Sequence, residues 1–163
     1  MEAGVRTTHI PDSDACNTRG YGGRMTLDGD CDFEKEQSHP AGSNSNSTKA
    51  YPWGSGEIPT NQWLGYKLVA RDQGSDSNVH LELYLDKTSN GNLANQVWEK
   101  IIDYTDYNNK TWDNQSSAWC CSTHANKSLR GSYKTTQLYV YLRTDGVTDQ
   151  RYKWISIREI NPK

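Results

Sequence analysis

Residues 32–42 read DFEKEQSHPAG. On an extended chain, Phe33, Lys35, Gln37 and His39 fall on one side, and Asp32, Glu34 and Glu36 on the other. Only Phe33 is apolar, so neither side is a clean core face. One of the two faces is expected to be a working surface, and the Gln37/His39 side is the one expected to line a groove. Rings and cations also recur at alternate positions, as Lys67 and Arg71, and as Tyr139, Tyr141 and Arg143. Sugar binding asks for a flat ring against C–H groups and polar groups at the rim. A concave sheet carrying Lys67, Arg71, Tyr139, Tyr141 and Arg143 would suit a polysaccharide. Its cations would favour an acidic one, arginine pairing carboxylates more specifically than lysine. The same tyrosines would also serve as plain cover for an outer sheet face. Trp53, Trp112 and Trp119 fall in loops, either displayed for a ligand or tucked in as anchors.

Metal chemistry has two candidate stretches. DKTSNGN (86–92) sets oxygen donors Asp86, Thr88, Asn90 and Asn92 at alternate positions around Gly91, like the first half of a calcium loop. Val97 stands where the closing glutamate belongs, and an Asn-Gly turn explains the stretch more simply. DGDCD places Asp28, Asp30 and Asp32 on one face, where a cation or plain solvent would relieve their repulsion. His9, His39, His80 and His124 show no ligand spacing. Calcium is therefore possible but not required.

The elements positioning these residues read as strands. NVHLELYLD (78–86) sets Val79, Leu81, Leu83 and Leu85 against His80, Glu82, Tyr84 and Asp86. WLGYKLVARD (63–72) sets Leu64, Tyr66, Leu68 and Ala70 against Trp63, Lys67, Val69 and Arg71. In QLYVYLRTD (137–145), Leu138, Val140 and Leu142 oppose Tyr139, Tyr141 and Arg143. RYKWISIREI (151–160), VWEKIIDYTD (97–106) and RMTLD (24–28) complete the set. Polar turns separate them, the stretches 40–60 and 107–135 are long loops, and no segment has a helical period. The expected class is all-β, an antiparallel β-sandwich or jelly roll, formed as a single domain over 1–163.

Composition narrows the function. With 163 residues and a net charge of −2, the chain lacks the basic excess of a nucleic-acid binder. It has no apolar run long enough to insert in a membrane. Six Trp and ten Tyr against one Phe suit a surface more than an oily interior. The cysteines are Cys16, Cys31, Cys120 and Cys121, without a zinc-type CxxC. Adjacent cysteines bridge each other poorly, so the favoured pairing links Cys16 and Cys31 separately to the 120–121 pair. Buried free thiols are the other reading. Disulfides would place the chain in an oxidising compartment, in keeping with sequons at Asn46, Asn109, Asn114 and Asn126. The residues after Met1, EAGVRTTHI, show no secretory signal, so the expectation is a trimmed chain or a removed export signal, with a cytoplasmic protein as the other reading.

Three stretches carry a resemblance: CNTRGYGGRMTLDGDCDFEKEQSHP (16–40), WLGYKLVARDQGSDSNVHLELYLD (63–86) and VYLRTDGVTDQRYKWISIREI (140–160). Together they resemble secreted proteins of the concanavalin A-like jelly-roll superfamily, which includes lectins, glucanases and alginate-lyase-type polysaccharide lyases. The likeness is to the C-terminal part of longer members. Similarity to the lyases rests on Gln37-x-His39, which resembles their Gln-x-His. It rests also on GYKLVARDQ (65–73), which can be laid over YFKAGVYNQ, matching Lys67 and Gln73. Arg71 falls where the catalytic tyrosine would stand, and GVRTTH (4–9) only echoes the arginine-rich strand. A lyase reading implies His39 as base, Gln37 and Arg6 as carboxylate neutralisers, and Tyr139 or Tyr141 as acid. Without the acid near residue 71, binding is favoured over cleavage. The expectation is an extracellular, lectin-like domain for polysaccharide. A lyase acting by β-elimination is the first rival, and a self-assembling structural subunit the second.

Overall fold

The computed structural model describes residues 1–7, 20–36, 43–45, 48–54, 56–73, 78–107 and 139–160, with backbone alone at 6, 7, 43–45 and 139. Its elements are β1 (Glu2–Thr7), β2 (Gly20–Met25), β3 (Cys31–Glu36), β4 (Ser43–Ser45), β5 (Gly65–Gln73), β6 (Asn78–Asp86), a single 3-10 turn (Leu93–Asn95), β7 (Glu99–Asp106) and β8 (Tyr139–Arg143). They form two antiparallel sheets, one five-stranded in the order β4-β3-β2-β1-β8 and one three-stranded in the order β5-β6-β7. Among the described residues, no helix is long and apolar enough to cross a membrane.

Period-2 alternation builds the core between the sheets. Val79, Leu81, Leu83 and Leu85 point inward from β6 and are essentially sealed from water. Tyr66, Leu68 and Ala70 flank them from β5, with Ile102 and Tyr104 from β7. The five-stranded sheet answers with Tyr21, Met25, Cys31 and Phe33. Each buried leucine withdraws apolar area worth roughly 2 kcal/mol, which gives the sheets reason to stack. Lys35 shares this inner side with Phe33. Its ammonium reaches Asp106 of β7 at 2.9 Å, both side chains fully buried. The Tyr21 hydroxyl donates to the same carboxylate. The Phe33/Lys35 side of the DFEKE segment is thus core, not groove. Gln37 and His39 lie outside the described residues.

Other expectations shift as well. The strand read over 24–28 ends at Met25, because Thr26–Gly29 makes the turn into β3. Residues 151–160 form no strand; they run irregularly and exposed, with Trp154 at 65% and Ile157 at 71%. Nothing among the described residues pairs with their backbone, and alternation alone cannot make a strand without a partner. In β8, Val140 and Leu142 remain half-open.

Cys31 is a buried free thiol, so the bridge expected there is not formed. Burial first, then Asp30 and Asp32, push it up to about 12. It packs as a small apolar side chain against the core. Cys16, Cys120 and Cys121 lie outside the described residues.

Candidate functional site

The outer face of the five-stranded sheet carries two cross-strand rows. Register aligns Arg143, Glu2, Arg24 and Asp32 in one row across β8, β1, β2 and β3. The next row runs Tyr141, Gly4, Gly22, Glu34 and Ser45. Paired residues share a face, so each row is a line of neighbouring groups. The glycines make the second row's floor. A Cβ at Gly4 would overlap the Tyr141 ring, and one at Gly22 would overlap the Glu2 carboxylate. One residue over, a Cβ at Gly23 would instead meet Tyr66, Leu83 and Leu68 of the other sheet, which fixes the inner and outer sides.

Over this floor the Tyr141 hydroxyl donates to Glu2 Oε1. Arg24 grips Asp32 with Nε at 2.8 Å and a terminal nitrogen at 2.5 Å, and stands 3.7 Å from Glu34. The Glu2 carboxyl, 6% exposed, is pushed up by burial and by Glu34, against the Tyr141 hydrogen bond. Burial and the Glu2 partner push the Tyr141 phenol far above its ordinary range. Among the described side chains, the face holds four carboxylates (Glu2, Asp32, Glu34 and Glu36, of which only Glu34 is not buried) against two guanidiniums, Arg24 and Arg143, with the Tyr141 ring over Gly4. It can donate, accept and stack, and it carries an acidic excess.

The platform expected from sequence is split. Tyr141 and Arg143 share this face, and Tyr139 lies on the same strand by its backbone. Arg6 lies on β1 by its backbone. Lys67 and Arg71 belong to the outer face of the other sheet, opposite Tyr84 and His80. There the Lys67 ammonium sits 3.9 Å from the Tyr84 ring and 4.8 Å from that of Trp98, so it is already engaged by aromatics.

That second face also gathers charged groups. His80 Nε2 lies 3.4 Å from Glu82 and 3.3 Å from Asp103, and His80 Nδ1 lies 3.1 Å from the Thr105 hydroxyl. Lys100 bonds both Glu82 and Asp103. Its bond holds the Asp103 carboxyl below the usual range, against burial; at Glu82, where burial is the larger cause and pushes upward, the Lys100 bond still brings the carboxyl down.

The expected calcium residues act as turn caps. Asp86 Oδ1 accepts from Thr88 N, Thr88 Oγ1 and Ser89 N at 2.9–3.0 Å. Asn90 Oδ1 accepts from Trp63 N at 3.1 Å, and Asn92 Oδ1 from Ala94 N at 3.0 Å. Asn90 and Gly91 both hold positive φ, the backbone of a type I′ Asn-Gly turn. Lys49 pairs with Asp30 at 2.6 Å, and Arg24 pairs with Asp32 at 2.5 Å. Trp53 tucks against the core. Trp112 and Trp119 lie outside the described residues.

Glu2, Gly4, Gly22, Arg24 and Glu34 were missed as site residues. Their signal was present: acids at 32, 34 and 36 share one strand face, beside the glycine-rich GYGG of β2. Comparison with family models, with characterised proteins and with solved structures finds no match.

Proposed function

We propose that the protein is an extracellular, lectin-like carbohydrate-binding domain built on a concanavalin A-like jelly-roll plan. Its saccharide platform is the outer face of the five-stranded sheet. The observation that supports this reading is the Tyr141–Gly4–Gly22–Glu34 row, in which the two glycines let the Tyr141 ring and the Glu2 carboxylate lie flat on the sheet with Glu34 at the far end. A pyranose laid there meets the Tyr141 ring, which lies over Gly4, and finds hydroxyl partners in the Glu2 carboxylate over Gly22 and in Glu34, Arg24 and Arg143. The acidic excess among the described groups favours a neutral glycan over an acidic one, because a uronate would meet Glu34 at the surface with further carboxylates beneath it.

The same balance argues against the lyase. That chemistry needs cations to neutralise the substrate carboxylate, and a tyrosine ready to exchange a proton. Tyr141 instead donates to Glu2 with its phenol held far from titration. The test is affinity electrophoresis through gels cast with neutral glucans, mannans or alginate. Retardation by a neutral glycan, lost in Glu34→Ala and Arg143→Ala, is the expected result. Retardation by alginate alone, or release of an ultraviolet-absorbing unsaturated product, would replace this reading with the acidic or lyase one. Self-assembly without any glycan response would favour the structural subunit, to which the exposed 151–160 segment would lend its unpaired backbone.

A further inference from the structure

The cluster on the outer face of the three-stranded sheet is separate from the saccharide platform. His80 stands on central β6, nearly buried, between Thr105 of β7 and Arg71 of β5. The Thr105 hydroxyl gives its hydrogen to Gln73 Oε1 at 3.1 Å. Toward His80 that hydroxyl is therefore an acceptor, and the 3.1 Å contact places a hydrogen on Nδ1. A metal-bound ring is neutral, and with Nδ1 bearing the hydrogen its lone pair would sit on Nε2. It points at Glu82 Oε1 and Asp103 Oδ1, both anionic. His80 Nε2, Glu82 Oε1 and Asp103 Oδ1 thus converge on one point, beside which the Lys100 ammonium serves the two carboxylates.

Two of the three edges fit a small tetrahedral cation. Tetrahedral zinc bonds of about 2.0–2.1 Å set neighbouring ligand atoms about 3.3–3.4 Å apart. His80 Nε2 is 3.4 Å from the Glu82 oxygen and 3.3 Å from that of Asp103. All three ligand atoms lie within 4.8 Å of one another. Asp103 is half-exposed, so once Lys100 releases it its carboxylate can turn and close the third edge. The Nδ1–Thr105 bond supplies the outer hydrogen bond that orients a metal-ligating histidine. We propose that His80, Glu82 and Asp103 form a three-ligand site for a zinc-class divalent cation, with Lys100 as the ammonium that occupies it in the metal's place.

Lys100 reaches both carboxylates because of a β-bulge. Register jumps from Leu83↔Ile102 to Tyr84↔Lys100, which leaves Ile101 as the extra residue. Ile101 packs toward the core, and Lys100 turns onto the outer face beside Glu82 and Asp103. A lysine on a flexible, part-exposed stem can withdraw, so metal and ammonium compete for the same two carboxylates, sharing Glu82 Oε1.

The test uses the whole chain, stripped with chelator and titrated with Zn²⁺ against a chromophoric indicator. Co²⁺ is the spectroscopic probe. One equivalent of Zn²⁺ is expected, with Co²⁺ giving visible bands of a tetrahedral nitrogen–oxygen site. His80→Ala and Glu82→Gln should lose that equivalent while the thermal melt stays cooperative. Glu82, at the surface, serves as ligand variant if the buried His80 change impairs folding. Thr105→Val should weaken binding by roughly 10–100-fold through the ring orientation. Lys100→Ala should tighten binding, a response no adventitious surface site would give. The proposal is overturned by a chain that binds no Zn²⁺, by an equivalent that survives both ligand variants, or by thiolate charge-transfer bands with Co²⁺. A Lys100→Ala protein that binds no tighter overturns it as well.

Discussion

Lys35 and Asp106 are the most constrained charged pair in the interior. Both side chains are fully buried, and Tyr21 completes the group. Burial pulls the Lys35 ammonium down, while Asp106 holds it up. Removing one partner leaves the other charge stranded in a low dielectric, which typically costs about 3–5 kcal/mol. Asp106→Ala should lower the urea midpoint by a corresponding amount. The double change Lys35→Met with Asp106→Leu should recover much of that loss, since an apolar pair needs no solvation. Asp86 gives a second residue-scale expectation. Burial pushes its carboxyl up, but hydrogen bonds from Ser89 and Thr88 outweigh it and bring it down to about 2 from 3.8. The folded state thus holds fewer protons than the unfolded chain. Its stabilisation is complete above about pH 4 and drains away as pH falls toward about 2. Thermal melts across that window should show the loss, and Asp86→Asn should flatten it.

Among elements, β1 and β2 depend on missing side chains. Gly4 and Gly22 let Tyr141 and Glu2 lie flat against the sheet. Gly4→Ala should push the ring aside, cost roughly 1–3 kcal/mol as overpacking does, and weaken glycan retardation with it. The legibility of each element followed the same physics. β6 was plain because every other residue is aliphatic and the inward side is sealed, leaving alternation nothing to compete with. The 151–160 segment alternates as well, yet lies unpaired, since pairing is a property of the neighbour and not of the segment. In β3 the period was right, but the inward side was taken for the working one. A lysine in the core looks like surface until its partner, some 70 residues downstream at Asp106, is found. Glycines carry no chemistry of their own, so the platform's floor could not be read from side-chain types. The bulge at Ile101 was equally hidden, although it decides where Lys100 goes.

At the scale of the molecule, the two outer faces are chemically unlike. One holds an acidic, glycine-floored trough; the other a histidine–carboxylate cluster beside a ring-held lysine. Lys67 and Arg71 therefore cannot join Tyr141 and Arg143 around one ligand, because the core lies between them. Glycan binding should be nearly insensitive to salt, since an uncharged ligand releases no counterions and screening has little to act on. Affinity measured at low and high ionic strength checks this.

The uneven burial of the strands also sets a gradient of protection. β6 is hydrogen-bonded on both sides beneath a sealed aliphatic row, whereas β8 borders the wider sheet with Val140 and Leu142 half-open. Deuterium should enter the amides of β8 long before those of β6, so the strand bearing Tyr141 is the one that a bound sugar would slow most visibly.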